Sequence, residues 1–259
     1  MHERLSFFVK RDSPIHRLNP MTKVVMALSL VLIAFLSPWY WTPLTLFLFV
    51  ILPLSLIARV AREYWNFILK VILPTIVILF VMQAFFLPGE SRILFEVIGL
   101  EITELSARLA FRNVMRILVM ISSFTILLLT THPSELMSDL TRRGLPGQFA
   151  YVVISSLQII PQMQAKAQTI ISAQRSRGLD TQSSFLRRVG GILPLVGPLV
   201  FGSLVEVEER AIAIEARGFT STRPKTFLRE IQDTSLDRAL RWALITCVIL
   251  TLILRIWLS

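Results

Sequence analysis

The sequence predicts an all-α integral membrane protein with about five transmembrane helices and a cytoplasmic helical insert. Of its 259 residues, 54% are hydrophobic and 17% are charged, whereas soluble domains contain about a quarter charged residues. The mean hydropathy is +0.65, and the apolar residues are concentrated in long runs. The net charge of +10 fits cytoplasmic loops rich in Lys and Arg. The lipid bilayer, and no nucleic acid, is therefore the expected partner.

Five apolar runs define the predicted spans, which cover residues 24–36, 44–58, about 67–86, about 109–130 and about 239–258. Trp39 and Trp41 lie in the first turn, where aromatic side chains suit a headgroup interface. The N-terminal segment and the 59–70 link are basic, whereas the 88–104 link is acidic. This charge pattern predicts a multi-pass protein of the inner (cytoplasmic) membrane with a cytoplasmic N-terminus and no cleaved signal peptide.

Arginine recurs at every fourth residue where the fourth predicted span begins, at Arg108, Arg112 and Arg116. Glu104 precedes Arg108 by four residues, a spacing that favours an ion pair on a helix. A charge inside the bilayer is costly and usually faces protein or a polar cavity. Arg112 and Arg116 therefore form a candidate intramembrane polar site. The alternative, in which these side chains extend to the outer headgroups, is open at this point.

A charged insert separates the fourth and fifth spans. The predicted division is a membrane region at 1–131, a cytoplasmic coupling region at 132–238 and a C-terminal transmembrane helix at 239–259. The apolar runs of the insert are interrupted by prolines, namely Pro161, Pro194 and Pro198. The prolines leave apolar runs that are too short for a full span. These runs therefore predict buried or interfacial helices, although one of them could dip into the membrane.

Two helix ends in the insert carry the same Arg-Gly pair. The helices are expected at about 162–178 and about 198–218. Glycine just beyond a helix favours the left-handed C-cap, and arginine in the last turn complements the helix dipole. Helix termination alone explains one copy. Two copies, each with a small residue before the arginine (Ser176 and Ala216), predict a surface for two like partners.

Taken in order, five segments resemble the transmembrane T component of energy-coupling factor (ECF) transporters, the family that includes the T subunits of cobalt, nickel and biotin uptake systems. SPIHRLNPMTK resembles the family's Ser-x-x-His-x-x-Asp-Pro-Arg-Thr-Lys segment, with Asn19 and Met21 as departures. TTHPSEL resembles its exit from the fourth span, and RRGLP its Gly-Leu-Pro turn. AQRSRG and EARGF resemble its paired Ala-Arg-Gly coupling motifs, with Ser176 replacing one alanine. The resemblance covers nearly the whole chain.

The resemblance implies an energy-coupling subunit of an ATP-driven importer of vitamins or metal ions. Its partners would be two cytoplasmic ABC ATPases, termed A and A′, and a membrane-embedded substrate-binding S component. Arg177 and Arg217 are then the expected ATPase contacts. The residues that shape the two helix ends are Ser176, Gly178, Ala216 and Gly218. The transported substrate would be a property of the S component, which is another polypeptide.

Motifs of catalysis are missing from the sequence. No glycine is followed by lysine, which excludes a GxxxxGK phosphate loop, and there is no GxSxG or HExxH. One cysteine, Cys247, and three separated histidines predict neither a disulfide nor a metal site. We therefore expect a non-catalytic subunit without a cofactor. Two alternatives are a secondary transporter with its own substrate site, and a lipid-acting enzyme, which would need a general base or a metal cluster.

Overall fold

The computed structural model describes residues 11–86, 93–97, 100–178, 185–219, 221 and 233–258. The chain begins with a short helix α1 (Pro14–Arg17) and the first apolar helix α2 (Pro20–Leu36). The side chains of Ser13 and Asn19 accept hydrogen bonds from the backbone N–H groups of His16 and Met21. Each helix therefore has a side-chain N-cap followed by proline, the residue that suits the first helical position.

Each of the next two apolar helices contains a π-helical segment shortly before a proline. The first comprises α3 (Thr42–Leu46), the π-segment Phe47–Ile51 and α4 (Leu52–Ile57). The second comprises α5 (Ala61–Phe67), the π-segment Ile68–Ile72 and α6 (Leu73–Phe86). Pro53 and Pro74 are the second residues of α4 and α6. Proline lacks an N–H and its ring crowds the preceding turn, so a wider π turn at this point accommodates it without ending the helix.

Part of the acidic link forms a β-hairpin that the sequence did not predict. Strand β1 (Ile93–Val97) pairs with β2 (Leu100–Thr103) in an antiparallel register that places Glu96 opposite Glu101. Strand β2 leads directly into α7 (Glu104–Thr130), which starts at a capping box formed by Thr103 and Ser106. Helices α8 (Pro133–Arg142) and α11 (Ser235–Leu258) pack in the same compact unit as α1–α7, which is called the membrane region below.

Helices α2 and α7 form the centre of the membrane region. Helix α7 packs against α2 and α6, and α2 also packs against α11. Small residues that are fully buried, including Ala34, Ala110 and Ser122, allow the helix backbones to approach closely. Larger apolar residues fill the space around them: Leu30, Ile51, Tyr64, Val119 and Ile126. Many apolar side chains on the opposite faces are exposed, such as Phe49 and Ile256, which suits contact with lipid.

Three helices within the described residues are long and apolar enough to cross a membrane: Ala61–Gln83, Glu104–Thr130 and Ser235–Leu258. Two shorter apolar helices, Pro20–Leu36 and Thr42–Ile57, account for the other two predicted spans. The predicted class of an all-α membrane protein is confirmed, with the small hairpin as its only strands among the residues described.

Two long helices, α9 (Gly147–Ser176) and α10 (Phe185–Ala216), form a separate compact unit. Their ends agree with the predicted stops, but their predicted starts and interruptions are wrong. Helix α9 continues through Pro161 and α10 through Pro194 and Pro198, because a proline inside a long helix costs one ladder hydrogen bond without obligatory termination. Helix α8 groups with the membrane region, and the domain limits at 132 and 238 stay a prediction.

Candidate coupling site

Helix α9 ends at the first Arg-Gly pair. Arg177 is the C-cap, and the N–H of Gly178 donates a hydrogen bond to the carbonyl of Arg175 at 3.0 Å. Gly178 has a φ of +89°, a left-handed conformation that costs other L-residues roughly 1–2 kcal/mol. The hydroxyl of Ser176 donates to the carbonyl of Ser172 at 3.2 Å. Local backbone physics therefore accounts for the glycine and for the position of the helix end.

Helix α10 ends in a Schellman motif. The N–H of Phe219 donates to the carbonyl of Ile214 at 3.1 Å, and the N–H of Gly218 donates to that of Glu215 at 2.9 Å. These are the two bonds that define this motif, with Arg217 as the C-cap. Gly218 has a φ of +68°. Both predicted glycines thus fulfil the same conformational requirement.

The arginine side chains at the two ends are exposed within the described part of the chain. Arg177 and Arg217 are exposed, and neither forms an ion pair or side-chain hydrogen bond with any residue that the structure describes. Ser176 and Ala216, which immediately precede them, are small and exposed as well. A flat, accessible guanidinium beside small residues can make bidentate contacts with a carboxylate of another protein.

A third Arg-Gly pair, at the end of α8, has the same local geometry but a different side-chain environment. Gly144 has a φ of +111°, and its N–H donates to the carbonyl of Thr141 at 3.2 Å. Here, however, the guanidinium of Arg143 contacts the carboxylate of Asp139 at 3.0 Å and lies 3.9 Å from that of Asp233. A helix can therefore end at an Arg-Gly pair whose guanidinium is ion-paired, whereas Arg177 and Arg217 have no ion pair with a described residue.

Hydrogen bonds between charged and polar side chains link α9 to α10 between the two Arg-Gly ends. Glu206 accepts a hydrogen bond from the ammonium of Lys166 on α9 and another, at 2.8 Å, from Arg210 on its own helix. Arg210 also donates to the side-chain oxygen of Gln162 at 2.6 Å. The hydrogen bond from Lys166, followed by that from Arg210, holds the pKa of Glu206 below its usual value. The ion pair between Glu206 and Arg210, four residues apart on α10, thus extends into a network between the helices.

The order of these contacts shows that α9 and α10 run in opposite directions. Glu206 contacts Lys166, whereas Arg210, one turn later, reaches Gln162, one turn earlier. Further along, the rings of Phe219 and Tyr151 lie 5.3 Å apart. The end of α10 therefore lies beside the beginning of α9. At 1.5 Å per residue, the two arginine-bearing ends are separated by about 35 Å of helix.

The motif segments of the membrane region meet at a buried polar junction that sequence reasoning missed. The Lys23 side chain, 1% exposed, donates hydrogen bonds to the carbonyls of His16, at 3.0 Å, and Thr130, at 2.9 Å. Asp237, also 1% exposed, accepts a hydrogen bond at 3.0 Å from the backbone N–H of Asn19. The junction joins the beginnings of α2 and α11 to the end of α7. In the sequence, this junction is indicated only by a lysine and an aspartate at the margins of apolar runs.

Arg112 and Arg116, the candidate intramembrane polar site, lie beside the end of α2. Arg116 donates to the carbonyls of Ala34, at 3.0 Å, and Ser37, at 3.3 Å. These groups belong to the last turn of α2, where helical carbonyls lack partners and the helix dipole favours a cation. Arg112 lies over the ring of Tyr40, 4.9 Å from its centroid. Arg108 forms the predicted ion pair with Glu104.

Comparison with known proteins identifies the family. The family of cobalt transport proteins, CbiQ, matches residues 11–227, which include both exposed Arg-Gly ends. The chain belongs to the CbiQ family. Its relatives include proteins named energy-coupling factor transporter transmembrane protein EcfT. That of Leuconostoc gelidum is 31% identical over 97% of this chain and 96% of its own length. That of Bacillus subtilis is 31% identical over 96% of each.

Membership in the CbiQ family confirms the prediction of an ECF transporter T component. This CbiQ-family chain is a multi-pass membrane protein and a transporter subunit, and the name of its relatives implies a complex with other subunits. The roles of Arg177, Arg217 and their small neighbours, and that of Arg112 and Arg116, stay predictions.

Proposed function

We propose that the chain is the energy-coupling subunit of an ECF-type ABC importer. In this role it transmits the ATP-driven motion of two cytoplasmic ATPases, A and A′, to a membrane-embedded S component that binds a vitamin or a metal ion. The chain would lie in the inner membrane with its N-terminus in the cytoplasm, as the distribution of Lys and Arg favours. Nucleotide hydrolysis takes place on the partners in this proposal, and this chain contributes no catalytic group.

The observation that carries the proposal is the pair of exposed arginines at opposite ends of one helix pair. Arg177 and Arg217 each follow a small residue and precede a left-handed glycine, and neither has a side-chain partner among the described residues. Two equivalent ends on one chain match two similar ATPases. The roughly 35 Å of helix between them exceeds the width of a single helix-binding groove, so each end would reach a different subunit.

The network around Glu206 supports a coupling role for α9 and α10. Lys166 and Arg210 both bind its carboxylate, which fixes one helix against the other at a point between the two arginines. A displacement imposed at one arginine would thus reach the other helix through a charged contact as well as through packing. Such a link is what a subunit that converts ATPase motion into membrane motion requires.

The test is charge reversal at both arginines in the complete transporter. The Arg177→Glu and Arg217→Glu double variant should lose co-purifying ATPases and substrate uptake into proteoliposomes. Arg175→Glu is the matched control, because it reverses the same charge in the same turn but lies about 200° away around the helix. It should retain both activities to within about threefold.

The single variants add a second test. Because each arginine serves one ATPase in the proposal, each single reversal should weaken binding of one ATPase more than that of the other. If the double variant binds both ATPases and sustains uptake like the unmodified chain, the proposed coupling role is wrong. If the Arg175→Glu control loses ATPase binding and uptake to the same extent, the effect is due to net charge and not to the positions of Arg177 and Arg217.

A further inference from the structure

We propose that the cavity beside the end of α2 binds a phosphate group, as carried by the headgroup of an anionic phospholipid. The cavity has a volume of about 250 Å³ and is lined by Ser37, Pro38, Arg112, Arg116, Arg255 and Leu258. Three guanidinium groups from α7 and α11 thus face one space. No carboxylate belongs to the described lining, and none of the three arginines forms an ion pair with a described residue.

Several arginines outside the cavity pair with carboxylates. Arg11, Arg108, Arg143, Arg210 and Arg241 each have a carboxylate partner within 4.0 Å. The cavity arginines instead use neutral groups. Arg116 binds carbonyls at the end of α2, Arg255 lies 3.5 Å from the carbonyl of Phe35, and Arg112 faces the ring of Tyr40.

The charge of the cavity stays strongly positive after these contacts are counted. The carbonyl end of a helix contributes roughly half a negative charge, against three full positive charges. An anion with several acceptor oxygens offsets the repulsion among the three guanidinium groups. Phosphate suits arginine because the guanidinium fork binds two of its oxygens.

The surroundings place the cavity at the level of the lipid headgroups. Trp39 and Trp41, directly beyond α2, are 69% and 65% exposed, and Trp257 at the end of α11 is 82% exposed. Exposed tryptophans of membrane proteins concentrate at the interface with water. Helix α7 has 27 residues, or about 40 Å, whereas the hydrocarbon core measures about 30 Å. Along α7, Arg112 and Arg116 lie about 12 and 18 Å from the first residue, so their side chains extend from within the span towards the headgroups, as long basic side chains do.

The experiment uses the full-length chain, purified and delipidated in detergent. Native mass spectrometry with equimolar phosphatidylglycerol and phosphatidylcholine should show that phosphatidylglycerol is preferred. Arg112→Gln should lower its retention about fivefold, the effect of one basic residue near an anionic headgroup. Arg108→Gln is the matched control, one turn earlier on α7 and outside this cavity, and should change retention less than twofold. Arg112→Lys keeps the charge and should retain more of this lipid than Arg112→Gln.

Inorganic phosphate distinguishes the two sources of the group. If millimolar phosphate raises the melting temperature of the unmodified chain but not of Arg112→Gln, and lipid retention does not depend on Arg112, the ligand is free phosphate. If retention of phosphatidylglycerol depends on Arg112, the ligand is the lipid. The proposal is overturned if neither ligand distinguishes Arg112→Gln from Arg108→Gln while both variants remain folded and monodisperse.

Discussion

Lys23 on α2 donates a hydrogen bond from its ammonium group to the carbonyl oxygen of Thr130, the last residue of α7, at 2.9 Å. A second bond reaches the carbonyl of His16. One buried side chain thus occupies carbonyls from two segments that are far apart in the sequence. Glu135 and Asp237 lie close enough to attract its charge. This arrangement offsets the cost of burying an ammonium group.

Replacement of Lys23 should destabilise the membrane region. Lys23→Met removes the hydrogen bonds to the carbonyls of His16 and Thr130 and should lower the free energy of unfolding by about 1–3 kcal/mol. Lys70→Met is the control, because Lys70 is exposed and its loss should cost less than about 0.5 kcal/mol. Thermal unfolding of the purified chain in detergent compares the two. Equal melting temperatures for both variants would show that the buried bonds contribute nothing.

Arg116→Gln should also destabilise the chain, since it removes the donors to Ala34 and Ser37 at the end of α2. The expected loss is about 1–3 kcal/mol. Arg108→Gln removes only an exposed ion pair four residues apart on one helix, which is worth about 0.5 kcal/mol or less. Denaturant unfolding followed by tryptophan fluorescence measures the difference. A larger loss in Arg108→Gln would contradict the capping role of Arg116.

Gly218→Ala should destabilise the end of α10, because an alanine at a φ of +68° adopts a strained conformation at a cost of about 1 kcal/mol. Gly202→Ala in the same helix is the matched control. Beyond its chain neighbours and the backbone of its own helix, a Cβ at Gly202 meets no described atom within 4 Å, and alanine there should stabilise α10 by up to about 1 kcal/mol. Hydrogen exchange of the α10 amides reports both changes. Exchange should be faster in Gly218→Ala only. If it is faster in both variants, or in neither, the different effects expected at the left-handed Gly218 and the helical Gly202 are refuted.

The contribution of Glu206 should depend on pH. Its folded pKa lies below the usual 4.5 because Lys166, and secondarily Arg210, donate hydrogen bonds to the carboxylate. The stabilisation is therefore fully present above the pKa of the unfolded chain and is lost as the pH falls through the folded pKa. The melting temperature of the unmodified chain should exceed that of Glu206→Gln at neutral pH, and the gap should close in acid. If the difference in melting temperature widens in acid, the direction assigned to the pKa shift of Glu206 is wrong.

Features that depend on neighbouring residues were predictable from the sequence. Arg-Gly helix ends follow from the conformational freedom of glycine at Gly178 and Gly218, and the apolar runs located the spans. Long-range contacts were not. The acceptors of Lys23 and Arg116 are backbone carbonyls, which every residue carries, so no side-chain pattern identifies them. The prolines of α9 and α10 suggested helix ends that the structure does not have. Each proline destabilises its helix only locally, whereas many residues contribute to the stability of a long helix.

The antiparallel arrangement of α9 and α10 has a mechanical consequence. Arg177 and Arg217 lie on opposite sides of the contact between Lys166 and Glu206, so each helix end acts as a lever arm of about 15 Å or more. Two forces in the same direction at these arginines translate the pair as a body. Two opposed forces instead produce a torque about the central contact. In the proposed role, partners that hold both arginines would rotate the helix pair when they move relative to each other, and would displace it when they move together.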